Sequence, residues 1–129
     1  MEKEFINYTE ALALKELGFE EPCFGYYDGN HNLQFMYNGK PEKFTERRMG
    51  VSDSIWVGWI SAPLYQQAFR WFREKKIHSI VQEYAFKNYM FSIDDGINRD
   101  VEVIGYNTYE EAELECLKKL IEIVKNNEK

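Results

Sequence analysis

Four groups of residues have side chains that could do chemistry. The first is the thiols and imidazoles: Cys23, Cys116, His31 and His78. A metal site needs such ligands at short spacing, two His on one helix face or paired Cys, and none are so placed. A cysteine nucleophile needs a base beside it, which Cys23 could find in His31 or His78 only through tertiary packing. The two cysteines therefore read as packed free thiols of a reducing compartment, and the histidines as exposed residues at element ends. The glycines are scattered singly, so no loop cradles a phosphate. The sequence thus predicts no metal and no cofactor.

The second group is the run Asp94-Asp95-Gly96-Ile97-Asn98-Arg99-Asp100. Its carboxylates lack the spacing of a calcium loop, and Arg99 sits among them. Asp and Gly are also the residues a hairpin turn uses, and that is the reading adopted. The third is Glu113, which a helical wheel places between Tyr109, Cys116 and Leu117. Desolvated, it could serve as a general acid. The alternative is a carboxylate near a helix N-terminus, favoured by the dipole and reaching solvent. No catalytic residue is assigned, and the chain reads as non-enzymatic.

The fourth group lies in the middle of the chain. Residues 40–76 carry eight Lys and Arg against four acids, within a chain of net charge −6. The candidate binding residues there are Arg47, Arg48, Trp56, Trp59, Arg70, Trp71 and Arg73. Cations beside stacking rings suit single-stranded nucleic acid. Glu42, Glu46 and Glu74 dilute the charge, and an acidic whole disfavours non-specific DNA binding. The same residue types, with the nine Tyr and nine Phe of the whole chain, also suit a protein interface, where aromatic rings and Arg concentrate. The leading expectation is a small interaction protein, with an unidentified protein partner or a homo-oligomer. The alternative is an accessory nucleic-acid-binding protein using the basic, Trp-containing middle.

These residues must be positioned by elements, and the pattern supplies them. Asn7 and Glu10 form a capping-box pair ahead of Ala11, Leu12, Ala13, Leu14 and Leu17, with Gly18 and Phe19 as the stop. A hairpin follows, Phe24–Tyr27 and Leu33–Tyr37, around Asp28-Gly29-Asn30-His31-Asn32. Residues 40–54 read as a surface loop with one short strand, and 55–60 as a buried strand. Ser61 is expected to cap a second helix, with Pro63 in its first turn. Leu64, Tyr65, Ala68, Phe69, Trp71 and Phe72 share one face of it. Strands at Ile80–Phe86, Tyr89–Ile93 and Val101–Ile104 come next. Thr108 and Glu111 then box the start of a last helix, whose apolar face is Tyr109, Ala112, Cys116, Leu117, Leu120, Ile121 and Val124.

The order helix, strands, helix, strands, helix predicts an α+β fold, an antiparallel sheet with about three helices packed against it. At 129 residues a single domain over 1–129 is expected. The first residues have no basic or apolar segment of a signal peptide. The longest apolar stretch, Ile55–Ile60, is far short of the ~20 residues of a membrane span. The expected location is the cytoplasm, with no membrane contact.

Three stretches carry a resemblance. They are Thr9–Phe19 running on to Pro22-Cys23-Phe24-Gly25-Tyr26-Tyr27, then Ala62–Lys75, and finally Thr108–Leu114 through Leu120–Ile123. In this order they resemble a family of uncharacterised short proteins of Bacteroidetes phages and prophages. The family has no established function, so no catalytic or binding residue carries over. The segment after Lys76 departs from its pattern, being shorter and lacking a Tyr-Gly. The resemblance implies a cytoplasmic accessory protein of a mobile element.

Overall fold

The computed structural model describes residues 4–36, 40–41, 47–49, 56–58, 60–94 and 100–127. Among them are three helices and eight strands, all strand pairs antiparallel, so the fold is α+β. The chain divides into two compact units, Met1–Tyr65 and Gln66–Lys129.

In the first unit, α1 (Tyr8–Glu16) packs with a three-stranded sheet of order β2-β1-β5. The strands are β1 (Gly25–Tyr27), β2 (Leu33–Phe35) and β5 (Ile60–Ala62); β3 (Arg47–Met49) and β4 (Trp56–Gly58) form a separate ribbon. Asn7 is the N-cap of α1, but its side chain makes no capping bond. The entry is fixed otherwise: Ile6 donates its N–H to Pro63 O at 2.9 Å, and Phe5 bridges Leu64. The exit follows the sequence. Gly18 takes φ +99°, its N–H reaches Lys15 O at 3.0 Å, and that of Phe19 reaches Leu14 O at 3.0 Å. This is a Schellman stop, and Phe19 and Leu14, its apolar pair, are both buried.

The β1–β2 loop is organised by Asp28. Its Oδ1 accepts from the N–H groups of Asn30 and Asn32, at 2.9 and 3.0 Å, and its Oδ2 from Gln34 Nε2 at 3.1 Å. The bond from Asn32 is the largest influence holding the carboxyl below its ordinary value. The expected single strand at 55–60 is divided: β4 belongs to the ribbon and β5 to the three-stranded sheet. Ser61 is no helix cap. It sits in β5 opposite Tyr26, and the helix starts at Tyr65. Backbone pairing along Ile60–Ala62 outcompetes capping for this residue, and its hydroxyl instead bonds the Cys23 thiol.

The second unit holds α2 (Tyr65–Glu74, one residue of which belongs to the first unit), a sheet of order β6-β7-β8, and α3 (Tyr109–Asn127). On α2, Tyr65, Ala68, Trp71 and Phe72 are buried, while Gln66, Arg70, Arg73 and Glu74 are exposed. A second Schellman stop ends it without glycine. Lys76 takes φ +70°, its N–H meets Arg73 O at 2.9 Å, and the buried Ile77 meets Phe72 O at 3.0 Å.

The sheet's strands are β6 (His78–Ala85), β7 (Asn88–Asp94) and β8 (Asp100–Tyr106). Opposite residues of an antiparallel pair share a face. Ser79 faces Ile93, Phe91 faces both Val81 and Val103, and Tyr89 faces Tyr106. This face meets α3: the ring of Tyr89 lies 6.4 Å from that of Tyr109, and Ser79 hydrogen-bonds the Cys116 side chain. The start of α3 is the predicted box. Thr108 Oγ1 accepts from Glu111 N at 3.1 Å, though the Glu111 carboxylate accepts from Asn107 N (3.4 Å) rather than from Thr108. Ala112, Cys116, Leu117, Leu120, Ile121 and Val124 are buried as expected, whereas Tyr109 is exposed at the rim.

Candidate protein interface

The other face of the β6-β7-β8 sheet alternates with the one under α3. Its rows are Ile80, Ser92 and Glu102, then Gln82, Met90 and Ile104. A strand facing water on one side ordinarily presents polar residues there. Here Ile80 is 58% exposed, Ile104 56% and Tyr84 44%. Met90, between them, is buried, with Gln82 Nε2 at 3.7 Å from its sulfur. The β6–β7 turn adds Phe86, 81% exposed, with Lys87 Nζ 5.3 Å from the ring centre. Glu83 holds that turn by accepting from Lys87 N at 3.1 Å, and Lys87 itself takes φ +57°.

The two edges of the sheet differ. On β8, Gly105 is an extra residue, since Tyr106 faces Tyr89 while Ile104 faces Met90. Gly105 has φ +103° and makes a bulge that side chains other than glycine rarely allow. Exposed Glu102 adds a charge beside it. Bulges and charges are the usual means of keeping an edge from pairing. On β6, the run Ser79-Ile80-Val81-Gln82 has no charge and no Pro, and the irregularity comes only near the turn, between Glu83 and Ala85.

The residues singled out from sequence are placed elsewhere. Arg47 and Arg48 lie in β3 and Trp56 in β4, with Arg48 paired to Val57 and Met49 to Trp56. Trp59 lies outside the described residues. These belong to the first unit, and Arg70, Trp71 and Arg73 to the second. Arg70 and Arg73 are exposed. Trp71 is only 9% exposed, packed edge-to-face on Phe72 at 5.0 Å and covered by Lys75 Nζ at 4.5 Å. A ring so covered offers no face for a base to stack on.

The remaining chemical candidates are also fixed in place. Burial pushes the thiols of Cys23 and Cys116 up to about 12, far from the reactive thiolate. His31 is exposed and stacked on Tyr8 at 3.8 Å, and His78 is exposed at the start of β6, opposite Asp94. Among the described residues no three His, Cys, Asp or Glu gather to hold a metal ion. Glu113 is half-buried; desolvation first, and the charge of Glu110 second, push its carboxyl up to about 7. Its neighbours Tyr109 and Cys116 are shifted upward too, so neither offers an anionic nucleophile near neutral pH, and Glu113 itself follows the desolvated reading rather than that of a carboxylate reaching solvent. The turn expected at residues 95–99 lies outside the described residues. No described helix is long and apolar enough to cross a membrane.

Sequence reasoning did not single out Ile80, Tyr84, Phe86 and Ile104, which the structure leaves exposed. The signal was there in part: Ile80, Val81 and Tyr84 place apolar residues at both parities of one strand, more than one covered face requires. Compared with protein-family models, curated proteins and solved structures, the chain matches none.

Proposed function

We propose that this chain is a small non-enzymatic interaction protein that works through protein–protein contact. The surface is the face of β6-β7-β8 turned away from α3, together with the β6–β7 turn. One observation carries the reading: Ile80, Ile104 and Phe86 are each more than half exposed on one sheet and its turn. The largest apolar patch on a folded domain is often its functional contact surface. The proposal extends, on the family resemblance alone, to an accessory role in a phage or other mobile element and to action in the cytoplasm.

The test is affinity capture from the native host lysate, with nuclease treatment, comparing the chain with the variant I80S/F86S/I104S. Capture of a stoichiometric protein that survives nuclease and is lost in the variant supports the reading. Equal capture by both moves the surface elsewhere. Capture that disappears with nuclease favours the nucleic-acid alternative instead, through exposed Arg70 and Arg73.

A further inference from the structure

We infer that the β6 edge of this surface pairs with the β6 edge of a second copy of the same chain, edge to edge about a two-fold axis. The inference rests on the proposed use of this face for protein contact and names the partner. Among the described residues β6 has β7 on one side and no strand on the other. It is the longest strand, His78–Ala85, and it leaves a row of main-chain donors and acceptors unpaired along its outer side. The opposite edge of the same sheet is blunted by the Gly105 bulge and Glu102, whereas β6 is unguarded between Ser79 and Gln82. β6 has its own charge and irregularity only at Glu83 and beyond, so the regular, charge-free stretch Ser79–Gln82 points to β6 as the edge that pairs.

The side chains agree with the backbone. Three of the exposed large hydrophobics, Ile80, Tyr84 and Phe86, lie on β6 and the turn that follows it. An antiparallel pair of β6 strands brings the Ile80 end of one copy alongside the Tyr84 end of the other, and β-branched and aromatic residues make favourable cross-strand pairs. A strand paired with itself in this way closes after two copies, with the same patch used twice.

Pairing of this kind covers the main chain of β6 and the flanks of Ile80 and Tyr84 rather than the whole sheet face, and it gives the outer donors and acceptors of the strand partners other than water.

Sedimentation of the intact chain across a concentration series tests the mass, expected at twice 15.4 kDa. Single cysteines at Ile80, Val81 or Gln82 test the geometry, because only positions close to the two-fold axis bring Cα atoms within disulfide reach. The native thiols are buried and serve as a silent background. The expected result is a dimer, an oxidative cross-link at one or more of these positions, and at least a tenfold weaker dimer in I80K and, separately, in Y84K. The control E102K, on the other edge, leaves the dimer intact. A monomer at every concentration overturns the inference. So does a dimer that forms none of these cross-links or is unaffected by both lysine variants. If the chain is monomeric yet I80S/F86S/I104S still loses a captured protein, the contact surface stands and only its occupant is wrong. Circular dichroism of I80K and Y84K confirms that a lost dimer is not a lost fold.

Discussion

The two faces of the β6-β7-β8 sheet are made by the same three strands, one residue out of step. On one face Phe91 and Ile93 are buried and α3 lies across all three strands. On the other, Ile80 and Ile104 flank the buried Met90 and remain open to water. Both faces are apolar at several positions, and among the described residues only one has a helix packed across it. An apolar residue under α3 is explained by folding, since its burial drives the unit together. An apolar residue on the open side gains nothing from the fold of one copy and costs solubility. The difference separates residues kept for stability from residues that need another reason.

Substitutions on the two faces should therefore part company. The largest effect belongs to the covered side. Phe91→Ala removes a buried ring beneath α3 and should destabilise by about 3–5 kcal/mol in chemical denaturation. A loss under ~1 kcal/mol would mean that the inner face is not the core. Next comes the helix that does the covering. Thr108→Ala removes the acceptor for Glu111 N and should cost ~1 kcal/mol, read as a lower denaturation midpoint.

At the rim of the same helix, Glu113 tests burial through pH. Its carboxyl is raised from 4.5 to about 7, so the folded state holds the proton more tightly than the unfolded one. Stability linked to Glu113 is therefore greatest below about pH 4.5 and is lost as pH rises through about 7. Glu113→Gln should gain in melting temperature over the parent as pH rises from 5 to 8, then level off. A difference that does not change with pH would place Glu113 in full solvent. The smallest effect on stability is expected on the open face, where Ile104→Ser should change it by no more than about 0.5 kcal/mol. A large loss there would show that something covers Ile104 and would erase the contrast between the faces.

Much of the covered side was legible in the sequence. Period-2 alternation put Tyr89, Phe91 and Ile93 together, and helical spacing gathered Ala112, Cys116, Leu117, Leu120, Ile121 and Val124. Local signals with one strong solution, Gly18-Phe19 and Thr108-x-x-Glu111, also read correctly. The failures have a common cause, which is pairing between distant segments. Ser61 has the chemistry of a cap, but its backbone pairs with Tyr26. Trp56–Ile60 has the composition of one strand, but its two ends join different sheets. The open face failed for a related reason: alternation shows that a strand has two sides, and nothing local shows which side a helix will occupy. The basic, Trp-containing middle illustrates the converse. Its residues are close in sequence, yet they divide between two units, and Trp71 is spent on packing.

Each unit also contains one sealed thiol, Cys23 in the first and Cys116 in the second. With both held at about 12, almost no thiolate exists in the closed state near neutral pH, so an alkylating reagent has to wait for the local structure to come apart. The rate at which each cysteine is labelled thus becomes a clock for its own half of the chain. Two clocks running at one speed would mark a single cooperative unfolding event, and two speeds would mark halves that breathe independently.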